Sequence, residues 1–396
     1  MVTDAQHLPR QIVLRRNEER RIQAGHPWVF SNEIGETRGA PAAADVVEIL
    51  SAGGKTLGIG FYNPHSLIAV RRLSPHVIEV NASFFQTRLA RALELRTRVC
   101  PGQTAYRLVH GESDSLPGLV VDRYNDVLCV QAFSCGMEKW LTVICDQLEQ
   151  LLHPAGIAER NESPLRDLES LPRRTGTLRG TVSPTTLVEM DVRFTVDPLH
   201  GQKTGFFLDQ RENRLLLRRF CPGAEVLDCF CNDGGFALHA ARAGAATVLG
   251  VDISAETLER GRANARLNEL GNVRFEEGDV FEALKGLGEQ GTRFDVVVLD
   301  PPTFTRSRKN VPSARRGYRD LNAAAMRVLK KGGILLSASC SHHITGETFL
   351  EAISEAGRRS GRDLQLLDWR GAAPDHPVLP QVPETAYLKC AVFCVR

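Results

Sequence analysis

A chain of 396 residues is long enough for two or three domains, each with a core of its own. Its formal charge of +2 at pH 7 excludes a polycationic coating protein, so any nucleic-acid contact must come from local basic patches. No apolar run reaches the ~18 residues of a membrane helix, the start lacks a signal-peptide core, and the ten cysteines show neither C-x-x-C pairs nor zinc spacing. We therefore expect a cytoplasmic protein without a metal and without membrane contact.

Residues 1–76 are predicted to form a small β-barrel domain, because short strands alternate with turns at close spacing. The predicted strands are Gln11–Leu14, Val46–Ser51, Gly58–Tyr62 and Ile68–Leu73. The same segment carries a basic cluster in which Arg15 and Arg16 are candidates for contact with nucleic acid. A solvated charged face is an equally good interpretation, since Glu18 and Glu19 stand among the arginines.

Residues 77–184 are predicted to form a central α+β domain. Helices are expected at Ser83–Val99 and Met137–Leu152, with a β-hairpin turned at Asn125-Asp126 between them. Residues 156–184 are polar and rich in Arg, Pro and Gly, which indicates a long ordered loop or hinge.

Residues 185–396 alternate between apolar β-type runs and helical runs, which predicts a doubly wound, mostly parallel α/β sheet. The predicted strands are Val192–Val196, Val226–Asp228, Thr247–Asp252, Val273–Glu277, Asp295–Asp300, Ile334–Ser339, Leu364–Trp369 and Ala386–Val395. The predicted helices are Phe236–Ala243, Ala255–Asn268, Phe281–Gly286, Leu321–Lys330 and Gly346–Arg358, after one that ends at Arg219.

The stretch from Glu225 to Phe236 is the first strand, turn and helix of this fold, and it differs from a dinucleotide fingerprint. Asp233 stands beside Gly234, where a carboxylate would repel a pyrophosphate. S-adenosylmethionine carries a sulfonium and an ammonium, which an acidic turn attracts. Asp252 ends the next strand, where it can accept hydrogen bonds from ribose hydroxyls, and Asp279 follows the third strand. Each acid alone is more often a helix N-cap, but three in succession predict an adenosyl-cofactor domain.

Two strand ends carry residues that suggest chemistry. The first is Asp300-Pro-Pro-Thr-Phe304, a stiff turn in which Asp300 can bond the edge of a flat base while Phe304 stacks on it. A plain strand exit is the alternative. The second is Ser339-Cys340-Ser-His-His, where Cys340 is a candidate nucleophile, although one cysteine among ten is more often core filler. A thiolate that adds to C6 of cytosine makes C5 nucleophilic enough to accept a methyl group.

The loop from Phe304 to Asp320 carries six Lys/Arg against one acid, directly after the proposed base-binding turn. Phosphate contact is the natural use of such a loop, and a mobile solvated loop is the alternative. The candidate RNA-binding residues of this segment are Phe304, Arg306, Arg308, Lys309, Arg315 and Arg316.

Motifs along nearly the whole chain resemble the RlmI-like family of ribosomal RNA cytosine-C5 methyltransferases. These motifs are H-P-W-V-F-S (26–31), Y-R-L-V-H-G-E-S-D-S-L-P-G-L (106–119), R-N-E-S-P-L-R (160–166), G-Q-K-T-G-F-F-L-D-Q-R (201–211), D-P-P-T-F, G-Y-R-D-L-N, S-C-S and D-H-P (375–377). The turn departs from the family, which commonly has an aromatic residue and Thr where this chain has Asn232-Asp233.

The resemblance implies an RNA-binding PUA domain, a central α+β domain and a methyltransferase domain whose last strand is antiparallel. It also implies that Cys340 is the nucleophile and that Asp300 orients the cytosine. We expect S-adenosylmethionine as cofactor and ribosomal RNA, in particular 23S, as partner, and leave a homodimer open. The predicted cofactor-binding residues are Gln202, Lys203, Asp228, Phe230, Asp233, Gly234, Gly235, Asp252, Ile253, Asp279 and Asp300.

The base that removes the C5 proton is unassigned, with His342 and His376 as candidates that are more often structural. The main rival is an amino methyltransferase acting on adenine N6 or guanine N2. Such enzymes place an aromatic residue directly after D/N-P-P, whereas Thr303 intervenes here. A non-catalytic RNA-binding assembly factor is a second alternative, against which the acids at Asp252 and Asp279 speak. A nicotinamide-linked oxidoreductase is a distant further alternative.

Overall fold

The computed structural model describes residues 10–305 and 307–396, which divide into two compact units. The first unit comprises the described residues through Thr185 together with Val196–Leu208 and Pro374–Thr385. The second comprises Thr186–Thr195, Asp209–Ala373 and Ala386–Arg396. Among the described residues, no helix combines the length and apolarity that crossing a membrane requires.

The N-terminal part of the first unit is a six-stranded mixed sheet with one short helix. Its elements are β1 (Gln11–Leu14), α1 (Arg20–Gln23), β2 (Trp28–Phe30), β3 (Ile34–Arg38), β4 (Val46–Leu50), β5 (Thr56–Tyr62) and β6 (Ile68–Ser74). The strand order is β2-β6-β5-β4-β1-β3, with β1 and β4 parallel and the other pairs antiparallel. Alternate apolar side chains such as Ile12, Ile49 and Val70 are fully buried between the strands. All four strands predicted from the sequence are present.

The second part of the first unit is a five-stranded sheet, order β11-β10-β9-β8-β7, packed against helices. Its elements are α2 (Ala82–Val99), β7 (Ala105–His110), β8 (Leu119–Tyr124), β9 (Val127–Ala132), α3 (Cys135–Lys139), α4 (Leu141–Leu152), β10 (Gly156–Asn161) and β11 (Arg174–Gly180). The first predicted helix is confirmed as α2, whereas the predicted helix Met137–Leu152 is divided at Trp140 into α3 and α4. The β8–β9 hairpin turns at Asn125, whose positive φ of 58° suits Asn.

The prediction of a loop over residues 156–184 is wrong, because β10 and β11 lie there. β10 is buried along its whole length although its last three residues are polar. Its polar groups are paired: Arg160 donates to the carbonyl oxygens of Pro198 (3.2 Å) and Gly201 (2.8 Å), and Asn161 accepts from the Ala132 N–H (2.8 Å). The polar composition of this segment suggested exposure to solvent, whereas in the structure its polar side chains form hydrogen bonds inside the protein.

The second unit is built on a seven-stranded sheet of order β16-β15-β14-β17-β18-β20-β19. Its strands are β14 (Glu225–Cys229), β15 (Thr247–Asp252), β16 (Val273–Glu277), β17 (Phe294–Leu299), β18 (Leu329–Ser339), β19 (Leu364–Arg370) and β20 (Lys389–Val395), and a ribbon of β12 (Thr185–Glu189) and β13 (Val192–Val196) precedes them. The helices are α5 (Arg211–Leu217), α6 (Gly235–Arg242), α7 (Ala255–Leu267), α8 (Val280–Glu289), α9 (Val311–Arg327) and α10 (Gly346–Ser360). The strands from β16 to β18 pair in parallel, and β20 is antiparallel to both its neighbours.

This topology confirms the predicted doubly wound sheet and its antiparallel last strand. Strand order reverses at β14, which lies between β15 and β17, and in doubly wound sheets ligands bind at the carboxyl ends of the strands at such a reversal. The sequence placed the start of α9 ten residues too late. α9 begins at Val311 with Pro312 in its first turn, and Ala314, Tyr318 and Leu321 are buried in the core of the sheet at helical spacing. Half of the predicted basic loop is therefore helix.

Candidate active site

The turn after β14 has an unusual backbone. Phe230 and Asn232 have positive φ angles of 61° and 51°, and Gly234 follows with φ 88° before α6 begins. Left-handed residues other than glycine store strain that the surroundings must hold, and such residues cluster at functional sites. One restraint is visible, since the Asn232 N–H donates to Asp252 Oδ2 at 3.0 Å. The turn thereby joins the ends of β14 and β15.

Asp228 is the most deeply buried acid of this region, with 1% of its surface exposed. Its Oδ2 accepts the Ala237 N–H at 2.8 Å, whereas its Oδ1 has no hydrogen-bond partner among the described residues. Burial, reinforced by the charges of Asp300 and Asp252, raises the pKa of Asp228 well above its ordinary value. An unpaired buried carboxyl oxygen is costly, and a donor or cation from a ligand would satisfy it. The residues present therefore fit a cofactor that carries an ammonium group.

Three further predicted cofactor residues lie at the same edge of the sheet. Asp252 Oδ1 accepts the Ser254 N–H at 3.0 Å, which orients the carboxylate, and the adjacent Ile253 is 72% exposed. A bare aliphatic side chain beside an oriented carboxylate suits the base and ribose of an adenosine. Asp279 caps α8 by accepting the Glu282 N–H at 3.1 Å. The N-cap interpretation thus holds for Asp279.

Asp233 is half-buried in the turn itself. Burial raises the pKa of Asp233 to about 6, against the opposing effect of Arg214 and Arg260. Its charge therefore forms near neutral pH, and a cationic ligand favours that charged state.

Gly234 is required by packing as well as by its left-handed conformation. A Cβ built on Gly234 would lie 2.9 Å from the Phe275 ring, and one on Gly250 would lie 2.7 Å from it. A Cβ built on Gly261 of α7 would lie 3.2 Å from the same ring. Three glycines thus make room for one aromatic side chain of β16, which fixes the turn against its neighbours.

A buried ion-pair network supports the start of α6, and sequence reasoning missed it. The Arg214 guanidinium donates to both carboxylate oxygens of Glu189 at 2.7 and 2.6 Å, and His239 Nε2 lies 2.9 Å from the same carboxylate. The Arg214 side chain passes beside Gly235, where a Cβ would lie 3.3 Å from Arg214 Cδ. These residues come from β12, α5 and α6, so no local motif in the sequence signals the network.

The Asp300-Pro-Pro turn and the end of β18 are joined by hydrogen bonds around one serine. The Ser341 hydroxyl lies 3.0 Å from Thr303 Oγ1 and accepts the Phe304 N–H at 3.2 Å. It also lies 2.9 Å from the Tyr318 hydroxyl, to which Ser339 donates at 2.8 Å. Hydrogen bonds therefore hold the two predicted segments together, and the Tyr318 hydroxyl belongs to this network.

Cys340 lies between these two serines and is half-buried. Eight of the ten cysteines are buried, and only Cys340 and Cys394 are partly accessible among the described residues. Burial, with smaller contributions from Cys340 and Asp300, raises the pKa of Tyr318 to about 12, which places both groups within electrostatic reach of its hydroxyl. Phe304 is half-buried, with its ring centroid 4.6 Å from that of Tyr318. The half-buried Cys340, the Asp300 carboxyl and the half-buried Phe304 ring are therefore all neighbours of Tyr318.

The basic residues predicted for RNA contact differ in their surroundings. Arg308, Lys309 and Arg316 are exposed. Arg315 lies 3.5 Å from Glu355, so α10 already provides it with an acidic partner. Arg306 lies outside the described residues.

The remaining predicted RNA and cofactor residues lie in the first unit. Arg15 and Arg16 are exposed, and Arg15 Nε donates to the Ile34 carbonyl oxygen at 3.1 Å. Gln202 and Lys203 belong to the segment 196–208 of that unit, with the Lys203 amine 4.1 Å from the centre of the Phe207 ring.

The two histidines considered as bases occupy different environments. His376 is 3% exposed in the first unit, its ring centroid 5.2 Å from that of His110 and its Nδ1 3.2 Å from Asp375 Oδ1. His342 is exposed in the second unit, with its ring 5.6 Å from that of Tyr387.

Comparison with known proteins identifies the family. Residues 12–75 match a PUA-like domain, and residues 106–394 match the S-adenosylmethionine-dependent methyltransferase family. The chain belongs to the S-adenosylmethionine-dependent methyltransferases. S-adenosylmethionine is its cofactor, as the acidic turn predicted, and the predicted fold with its PUA-like N-terminal domain is confirmed.

Relatives extend over almost the whole chain. A protein of Shewanella denitrificans called ribosomal RNA large subunit methyltransferase I is 40% identical over 387 residues, which cover 96% of this chain and 98% of the relative. A protein of the same name from Tolumonas auensis is 39% identical over 386 residues, which cover 96% of this chain and 97% of the relative. The predicted family resemblance is thereby confirmed.

Solved structures share the fold. A candidate SAM-dependent methyltransferase from Streptococcus mutans superposes with a TM-score of 0.83 at 21% identity, over 97% of this chain and 99% of that one. A crystal structure of a candidate methyltransferase complexed with SAH gives a TM-score of 0.84 at 21% identity with the same coverage.

Proposed function

We propose that this enzyme methylates C5 of a cytosine in large-subunit, 23S-type ribosomal RNA. The substrate class is supported by the names of the relatives at 39–40% identity over 96% of the chain, and by the PUA-like domain. The choice of C5 is supported by one observation: the partly accessible Cys340 stands between Ser339 and Ser341, and the Ser341 hydroxyl is hydrogen-bonded to the Asp300-Pro-Pro turn at Thr303 and Phe304. Amino methylation needs no such thiol.

The chain's own residues would act in the following order. The Cys340 thiolate adds to C6 of the cytosine, which breaks the C5–C6 π bond and leaves C5 rich in electrons. Bound S-adenosylmethionine supplies the methyl group that C5 takes up. A base then removes the C5 proton, and the electron pair of that C–H bond restores the double bond as the Cys340 sulfur leaves. Asp300 accepts a hydrogen bond from the Watson–Crick edge, which holds the ring in position.

The predicted cofactor residues have separate tasks in this proposal. The unpaired Asp228 Oδ1 and the Asp233 carboxylate accept the cationic end of the cofactor, and Asp252 accepts the ribose hydroxyls. Ile253 covers one face of the adenine. The half-open Phe304 ring supports the flipped base, and the exposed Arg308 and its basic neighbours contact phosphates.

Covalent trapping tests the proposal. RNA carrying 5-azacytosine or 5-fluorocytosine at the target position reacts with the thiol but blocks the release step. We expect a protein–RNA adduct stable to denaturing electrophoresis with the wild type, and none with Cys340→Ala. Cys394→Ala is the matched control, because Cys394 is the other partly accessible cysteine, and it should trap as the wild type does.

Two outcomes would contradict the proposal. Methyl transfer by Cys340→Ala at the wild-type rate would favour the amino methyltransferase alternative, in which adenine N6 or guanine N2 is the acceptor. Binding of both S-adenosylmethionine and RNA without any methyl transfer would favour the assembly-factor alternative. Mass mapping of the ribosomal RNA of a deletion strain would then identify the nucleotide.

A further inference from the structure

A buried lysine lies beside the proposed nucleophile without an acidic partner. Lys389 is the first residue of β20 and pairs across the sheet with Ser339, the residue before Cys340. It is 6% exposed, and the hydrogen bonds of its amine within the described chain go to backbone carbonyl oxygens, not to a carboxylate. A buried lysine of this kind is rare in a structural role, because an uncompensated ammonium is costly in an apolar interior.

The Lys389 amine donates to two backbone carbonyl oxygens. These belong to Ser341, at 2.7 Å, and Tyr387, at 2.8 Å. A neutral amine has two N–H groups and one lone pair, so both donors are used and the lone pair remains. A protonated amine has a third N–H in the same direction. The site therefore holds either protonation state without rearrangement.

The amine reaches across the backbone of Cys340, because its strand partner is Ser339 and its acceptor is Ser341. Burial lowers the pKa of Lys389 to about 8, and the charge of Cys340 opposes this shift, so the two groups interact electrostatically. The other titratable groups around the pair are Asp300, Tyr318, His342 and Tyr387. Of these, Tyr318 remains a neutral hydroxyl because its pKa is raised to about 12.

We propose that Lys389 Nζ takes the proton of the Cys340 thiol and holds the thiolate ready for attack on C6. The S–H bond breaks, an N–H bond forms on the lysine, and the electron pair stays on sulfur. When the sulfur leaves the methylated ring, the same thiolate–ammonium pair is restored. The proton from C5 goes to a separate base or to water, so the lysine keeps the proton of the thiol and the thiolate–ammonium pair is ready for the next cycle. This inference deepens the proposed function, which supplies its nucleophile.

The pH dependence of alkylation tests the pair without RNA. The protein is treated with iodoacetamide over a pH series, and peptide mass spectrometry gives the rate at Cys340, with the partly accessible Cys394 of β20 as internal reference. We expect Lys389→Met to slow Cys340 alkylation at neutral pH by about tenfold and to move its profile up by about one pH unit. Lys389→Arg keeps the positive charge and should leave the profile near that of the wild type.

An unchanged Cys340 profile in folded Lys389→Met would overturn the proposal and leave the lysine a merely structural role. Folding is checked by circular dichroism and by binding of S-adenosylhomocysteine. If Lys389→Met does not fold, the pH dependence of Cys340 alkylation in the wild-type protein is compared with that of a cysteine peptide. Equal pH dependence would refute the thiolate–ammonium pair. Failure here is distinct from failure of the proposed function. If RNA is trapped but Cys340 is alkylated with the pH profile of an ordinary thiol, only the role of Lys389 is refuted. If Cys340 is alkylated as an activated thiol but RNA is not trapped, only the C5 chemistry is refuted.

Discussion

Gly234→Ala should destabilise the methyltransferase unit, for two reasons that add. Gly234 has φ 88° and ψ 23°, a conformation in which a Cβ costs about 1–2 kcal/mol. The new methyl would also lie 2.9 Å from Phe275 Cζ in a packed core, and overpacking of this kind costs about 1–3 kcal/mol. The free energy of unfolding should therefore fall by about 2–5 kcal/mol.

Urea unfolding followed by circular dichroism measures this change, with Gly278→Ala as the matched control. Gly278 also lies at the cofactor edge of the sheet, but a Cβ there meets nothing within 4 Å, and its φ is not in the left-handed range. We expect the control to stay within about 0.5 kcal/mol of the wild type. In a Phe275→Leu background, Gly234→Ala should keep its backbone cost of about 1–2 kcal/mol and lose most of the packing cost.

Equal urea concentrations at the midpoint of unfolding for Gly234→Ala and Gly278→Ala would refute the expected cost of a side chain at Gly234. An undiminished cost in the Phe275→Leu background would refute the packing part alone and leave the backbone part standing.

Three further predictions concern charge. Affinity for S-adenosylmethionine, measured by calorimetry, should rise between about pH 5 and about pH 7, because the Asp233 carboxyl, with its pKa raised to about 6, is neutral below that range. Asp233→Asn should lose the part of the rise that is centred near pH 6, and a wild-type profile unchanged in that variant would contradict the assignment. Replacing Arg308 and Lys309 by Ala should reduce the slope of log affinity for RNA against log salt by about 1.4–1.8, and an unaltered slope in filter binding would exclude their phosphate contacts. Glu189→Gln leaves Arg214 buried without its counter-ion and should cost about 3–5 kcal/mol in urea unfolding, so a loss below about 1 kcal/mol would argue against the network.

The sequence indicated the candidate site segments because each lies at the end of an apolar strand. Asp228, Asp252 and Asp300 follow such runs, and the carboxyl ends of neighbouring parallel strands meet at one edge of a sheet. The acids Asp233, Asp252 and Asp279, with Gly234 directly after Asp233, were enough to predict an adenosyl cofactor rather than a dinucleotide. These are local patterns, which the order of residues alone carries.

Errors in the sequence-based prediction came from segments whose polar residues are satisfied inside the protein. β10 reads as a loop because nothing local reveals that Arg160 finds backbone acceptors some forty residues further along the chain. The first half of α9 reads as a basic loop because its buried positions include only one large side chain before Leu321, namely Tyr318. Composition reports what a side chain prefers on average, whereas burial depends on the partners that the fold provides.

By itself, then, the sequence determined the fold class and the cofactor and singled out Cys340 as the candidate nucleophile, since hydrophobic periodicity and residues at strand ends are properties of short stretches. Only the tertiary structure decided which groups surround that cysteine. Lys389 is separated from Cys340 by 49 positions, and the antiparallel pairing of β18 with β20 brings its amine to the Ser341 carbonyl. Strand pairing sets such contacts, because the neighbours of a residue in a sheet belong to other strands.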